Sequence, residues 1–198
     1  MRCKMSSLRE GRRLAPWAAA VLVVALGCGG QGGEQAATGG SGSSESPGTA
    51  PAVATAVATL EGRSDVQLSG QATFTETTGG VRVTLDLTGT PPGPHGVHLH
   101  EIGDCSAPDA TSAGAHFNPT GSHHGGHDTA ERHAGDLGNI EVGADGVGHL
   151  DVTVPGLTVA PGPTSVVGRA IVVHADIDDL TTQPTGNSGA RIGSGVIA

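Results

Sequence analysis

The chain has 198 residues, enough for one domain of ordinary size plus extensions, and its one Trp, two Phe and no Tyr leave any core to Val, Leu, Ile and Ala. Its 34 Gly and 12 Pro favour a turn-rich β protein over a helical one. A formal charge of −9, from 10 basic and 19 acidic residues, argues against nucleic acid as a partner.

Residues 1–27 read as a secretion signal, with Arg2, Lys4, Arg9, Arg12 and Arg13 ahead of an apolar run from Leu14 to Leu26. The run is too short to span a bilayer comfortably. Its end, "ALGC" (Ala25 to Cys28), is similar to a bacterial lipobox, in which the cysteine is diacylated and becomes the first mature residue. Plain secretory cleavage beside an incidental cysteine is the other reading. Both predict export, to the periplasm or the cell surface, and the first adds a membrane anchor at Cys28. Cleavage removes the only lysine and leaves five basic against eighteen acidic residues, −13 with His neutral. Residues 28–50 contain no large apolar side chain and are expected to form a flexible Gly/Ser-rich tether, followed by a domain over 51–198.

From Ala52 short period-2 segments alternate with glycine-bearing turns, with no sustained helical period. Strands are predicted over 52–60, 66–74, 81–88, 96–100, 148–154 and 170–174. The clearest is "VRVTLDLT", which sets Val81, Val83, Leu85 and Leu87 on one face and Arg82, Thr84, Asp86 and Thr88 on the other. About seven or eight such strands imply an all-β fold, an eight-stranded Greek-key barrel or immunoglobulin-like sandwich. Two stretches poor in apolar residues, 101–139 and 175–192, are long enough to be functional loops.

Side chains alternate along a strand, so His98 and His100 in "GVHLH" project together, about two rises of roughly 3.3 Å apart. That spacing suits two ligands of one metal, although an H-x-H pair alone is a weak signal. The first loop adds His116, His124 and His133, with Asp136 three residues further on, a set of three nitrogens and one oxygen of the kind zinc accepts. His174 supplies another imidazole at the end of an apolar strand. Imidazole-rich donors with few cysteines favour zinc or copper over thiolate chemistry.

The strings "GVHLHEIGD", "SAGAHFNP", "HGG", "ERHAGDLGN", "GRAIVVH", "DDL" and "TGNSGARIGSGVI" resemble the copper/zinc superoxide dismutase family, from about residue 52 to the C-terminus. The resemblance implies one copper on His98, His100, His116 and His174, and one zinc on His116, His124, His133 and Asp136. His116 is then shared. Only His124, not its neighbour His123, reproduces the family steps from His116 and to His133. Asp178 would hydrogen-bond His98 and His124, with Asp176 and Asp179 as the alternatives in register. His95 would support the copper side, Thr185 would narrow the approach, and Arg191 would dock an anion beside copper.

The implied reaction disproportionates superoxide anion to dioxygen and hydrogen peroxide by Cu(II)/Cu(I) cycling, with His116 carrying a proton. A non-catalytic surface lipoprotein that holds copper and zinc is the competing reading, and it has no use for Arg191 or Asp178. A homodimer is one assembly open to such a chain. In the family a disulfide joins the loop after the H-x-H strand to the strand after the arginine. Cys105 fits the first position, but Ser194 stands at the second, and the remaining cysteines, Cys3 and Cys28, precede the domain. An inert buried thiol, an intermolecular disulfide and a reactive thiol are the three readings of Cys105.

Overall fold

The computed structural model describes residues 53–198. The expected signal, Cys28 and the tether lie outside those residues. Eight strands follow in chain order: β1 (Thr55–Gly62), β2 (Ser69–Thr77), β3 (Gly80–Thr88), β4 (Gly93–His100), β5 (Asp136–Val142), β6 (Gly148–Val154), β7 (Ala170–His174) and β8 (Arg191–Val196), with a 3₁₀ turn at Thr111–Ala113. They close into an antiparallel barrel in the order β1-β2-β3-β6-β5-β4-β7-β8, a Greek key without a free sheet edge. Among the described residues no helix is long and apolar enough to cross a membrane.

Alternation drives this closure. In β3 Val81, Val83, Leu85 and Leu87 are fully buried while Arg82, Asp86 and Thr88 face water. β1 and β2 add Leu60, Ala72 and Phe74 to the same interior. Burying each such Leu, Val or Phe contributes roughly 1.5–3 kcal/mol, so the scarcity of aromatics is offset by many aliphatic contacts.

Two strands depart from the sequence reading. The loops predicted over 101–139 and 175–192 take in the first residues of Asp136–Val142 and Arg191–Val196, yet both segments pair as strands: His95 lies opposite Ile140, and Val172 opposite Ser194. The expected loops therefore end at residues 135 and 190. The reason is packing on both faces. A Cβ on Gly193 would meet Leu68 Cδ2 at 2.1 Å, and one on Gly195 would meet the Thr59 carbonyl at 2.4 Å, so β8 needs the glycines that make it read as a loop. β1 and β2 also run later than expected, ending at residues 62 and 77 rather than 60 and 74.

β4 and β7 are buried on both faces. Val97, Leu99, Ile171 and Val173 point into the core. On the outer face Ala170 and Val172 pack with Cys105 and Ala113 beneath the 101–135 loop. Cys105 is thus buried in a small apolar cluster of its own. Ser194 is also buried, and its Oγ accepts a 2.8 Å hydrogen bond from Arg63 Nε.

Candidate metal centre

The site forms on the outside of the barrel, where the two long loops cross β4 and β7. Register shifts at Val97/His98 and at Val173/His174 re-aim the side chains of two histidines. The first loop then returns along β4: Phe117 N donates to Leu99 O at 2.7 Å, and Glu101 N to Ala115 O at 2.9 Å, which sets His116 beside His100. Gly135 is needed for this approach, since a Cβ there would lie 2.4 Å from the Leu99 carbonyl.

All seven predicted metal ligands and Asp178 are buried: His98, His100, His116, His124, His174, Asp136 and Asp178 are at most 5% exposed, and His133 is at 6%. Ligand atoms of His98, His100, His116 and His174 all lie within 4.8 Å of one another. So do atoms of His98, His116, His124 and Asp136. His98 belongs to both groups, with its Nε2–H donating to Asp178 Oδ2 at 2.8 Å and its Nδ1 left over. His133, which the resemblance puts on the zinc side, is not in the second group, although its Nδ1 lies 3.2 Å from Asp136 Oδ1.

The ring hydrogen bonds decide which nitrogen is left to bind a cation. His100 Nδ1–H donates to Gly114 O at 3.0 Å and His174 Nδ1–H to Gly189 O at 3.3 Å, so each turns Nε2 inward, and the two Nε2 atoms are 3.4 Å apart. With Asp178 holding Nε2 of His98 and, at 2.9 Å, Nε2 of His124, Nδ1 is the ring atom each has left for a cation, and that of His124 faces Asp136. His98 Nδ1 and His116 Nε2 are buried without a hydrogen-bond partner, while His124 Nδ1 lies 3.1 Å from Asp136 Oδ2. Buried orphan acceptors are costly unless a cation faces them, so the donor set fits metal on both sides of His116. His116 stacks on His98 with centroids 3.9 Å apart, while its Nδ1 lies 3.1 Å from Asp136 Oδ1.

Electrostatics divide the cluster. Burial lowers the pKa of His98 to about 4, of His100 to about 2 and of His174 to about 3, which keeps these imidazoles neutral with lone pairs available. Burial also pulls His124 down, but hydrogen bonds to Asp136 and Asp178 outweigh it and hold the ring at about 9. Burial opposes ionisation of Asp136 and Asp178, yet imidazole hydrogen bonds keep both well below the usual carboxylate range. Asp178 lies in the 175–190 loop, and its backbone is clasped by Asn139, whose Oδ1 accepts from Asp178 N at 2.7 Å and whose Nδ2 donates to Asp178 O at 2.9 Å.

Arg191 opens β8 at the rim. Its guanidinium donates to Ala110 O and Gly114 O, each at 2.7 Å, and the Gly114 carbonyl also accepts from His100. His95 is buried behind the site, with Nδ1 2.8 Å from the His174 carbonyl and Nε2 2.7 Å from Pro91 O. Thr185 is exposed on the second loop, and its carbonyl accepts from Ser188 Oγ at 3.0 Å. Asp176 and Asp179 do not take the place of Asp178: Asp179 binds Thr181 and Thr182 within its own turn, and Asp176 lies against Gly189. His123, His127 and His149 are exposed, His149 pairing with Asp86 on the outer face of β6 and β3. The clasp by Asn139 and the carbonyls of Ala110, Gly114 and Gly189 were not among the sequence-derived site residues. Backbone acceptors leave no mark in side-chain pattern.

These features define an antiparallel barrel whose loops gather two fused pockets of metal-ligating side chains. Residues 68–197 match the copper/zinc superoxide dismutase (SODC) family, and the chain belongs to that family. Among solved structures, a crystal structure of the clock protein EA4 is 36% identical with a TM-score of 0.66, covering 73% of this chain and 93% of that one. A double mutant of a SOD-like protein from Bacillus subtilis, with a tyrosine and a proline each replaced by histidine, is 36% identical with a TM-score of 0.64, covering 70% of this chain and 94% of that one.

Proposed function

We propose that the protein is a copper/zinc superoxide dismutase that disproportionates superoxide to dioxygen and hydrogen peroxide. Copper is held by His98, His100, His116 and His174, and zinc by His116, His124, His133 and Asp136. The observation that carries this reading is the sharing of one carbonyl, Gly114 O, by His100 and Arg191, because it ties a fixed cation to the copper-side imidazoles. A metal-storage protein has no need of that arrangement.

Copper at the four imidazoles would supply the one-electron redox chemistry that zinc cannot. The chain supplies the rest. Arg191, fixed by two carbonyls, offers its remaining N–H groups to a small anion at the rim. His116 has Nδ1 facing Asp136, so Nε2 is the atom able to take and return a proton whenever it is not a ligand. Asp178 fixes the tautomer of one imidazole on each side through its two carboxylate oxygens.

The reading extends to export. Residues 1–27 are removed, Cys28 carries a lipid anchor, residues 28–50 tether the domain over 51–198, and the protein works in the periplasm or at the cell surface. Support comes from the basic and apolar order of the first residues and from "ALGC". Fatty-acid labelling that persists in Cys28→Ala would refute the anchor.

Metal analysis with a superoxide-decay assay tests the central reading. Mature protein is expected to hold about one copper and one zinc and to speed decay, and Arg191→Ala is expected to keep its copper and lose roughly tenfold or more in rate. Full copper without accelerated decay would favour the competing metal-holding lipoprotein.

A further inference from the structure

We propose that Gln183 is a positioning residue for the zinc-side imidazole His124, holding that ligand from the second loop without touching the metal. This rests on the reading of His124 as a zinc ligand and names what keeps it in place. The Gln183 carboxamide pairs with the backbone of His124 in both directions: His124 N donates to Gln183 Oε1 at 2.8 Å, and Gln183 Nε2 donates to His124 O at 2.9 Å. A carboxamide carries an acceptor and a donor side by side, as a peptide unit does, so it can stand in for a neighbouring strand.

The stretch that presents Gln183 is closed on itself. Asp179 N donates to Gly186 O at 2.9 Å and Gly186 N to Thr182 O at 2.7 Å. Thr182 Oγ1 donates to Asp179 Oδ2 at 2.6 Å, and Gln183 Nε2 also reaches Thr181 O at 3.2 Å. Asp178, at the head of this ring, holds the other end of the same ligand through His124 Nε2. One short loop therefore fixes His124 at its backbone and at its ring. The first loop contributes the ligand, and the second decides where it points. Gln183 has no such hold on His98, His100 or His174, which are anchored through Asp178, Gly114 and Gly189.

The experiment follows chelator-driven release of zinc and of copper from the mature protein, together with the visible spectrum of cobalt(II) placed on the zinc side, in wild type, Gln183→Ala, Gln183→Glu and Thr182→Ala. Gln183→Glu keeps the acceptor for His124 N but sets an oxygen against His124 O. Thr182→Ala loosens the same ring without touching His124. Both Gln183 variants are expected to release zinc roughly tenfold faster, the lower range for groups that orient metal ligands, and to shift the cobalt bands, with copper release unchanged and Thr182→Ala, which only loosens the ring that presents Gln183, accelerated less than either. Zinc release within twofold of wild type in Gln183→Ala would overturn the proposal. So would equal acceleration in Thr182→Ala, or copper released faster by the same factor. Wild-type protein that takes up no zinc would instead bring down the zinc assignment itself.

Discussion

Replacing Gly186 with alanine should separate the carboxylate bridge from the zinc-side imidazole while leaving the barrel intact. A Cβ at this position would lie 1.7 Å from Asp178 Oδ1 and 2.5 Å from His124 Nε2. The first is roughly 1.5 Å or more short of ordinary contact, so Asp178 must move and its 2.9 Å hydrogen bond with His124 is lost. Loss of a partner that orients a metal ligand costs about 10–100-fold in affinity, or about 1.4–2.8 kcal/mol. The residue also has φ +65°, so any side chain adds about 1–2 kcal/mol of backbone strain. Gly156→Ala separates the two effects, since Gly156 has φ +82° and nothing within 4 Å of an added Cβ. Zinc dissociation constants from competition with a chromophoric chelator, beside urea unfolding of the metal-free proteins, give the answer. Gly156→Ala should lose metal-free stability by the backbone strain alone and Gly186→Ala by more, and only Gly186→Ala should lose zinc affinity. Wild-type zinc affinity in Gly186→Ala, or an equal loss in Gly156→Ala, would refute the steric argument.

Below pH of about 6.5 the unfolded metal-free chain takes up protons on His98, His100 and His174 that the folded chain refuses until about pH 4, 2 and 3, so stability should drop as pH falls, by about 1.4 kcal/mol per pH unit for each ring. His124 acts in the opposite sense, with a contribution fully present below about 6.5 and lost as pH rises through about 9. A urea midpoint for metal-free protein that is higher at pH 5 than at pH 6.5 would contradict these signs. Phe74→Ala, at a fully buried position, should cost about 3–5 kcal/mol in urea unfolding and leave the metal stoichiometry of the folded protein unchanged; a cost below about 1 kcal/mol would show that β1 and β2 do not carry the core. With no lysine after Lys4 and five basic against eighteen acidic residues after residue 27, the superoxide rate should fall only shallowly between low salt and about 0.15 M, and a steep fall in stopped-flow decay would show strong steering from elsewhere.

The parts of this fold that could be read in advance are those where chemistry repeats with the period of the backbone. β3 alternates cleanly, and its buried residues are the ones its pattern nominates. β5 and β8 were obscured because both faces are covered: Asp136, Leu137 and Gly138 are buried in succession, and β8 is built around Gly193 and Gly195. The histidines and Asp136 stood out through their density and their family-like spacing, and Asp178 was separated from Asp176 and Asp179 only by that resemblance. Gln183 and Asn139 gave no comparable signal. Each works by pairing with another residue's backbone, and a lone amide in a polar segment has no period to betray it.

The carbonyl of Gly114 receives both His100 and Arg191, on a residue with φ +76° whose added Cβ would meet the Glu101 side chain at 2.7 Å. Two tasks thus hang on one oxygen atom. A change that slides this peptide to widen the entrance also tilts an imidazole, and one that retunes the imidazole also swings the guanidinium. On the proposed function, anion entrance and metal geometry would change as a pair, and a redesign aimed at a larger anion would have to rebuild Ala110–Gly114 as a unit rather than enlarge the rim one side chain at a time.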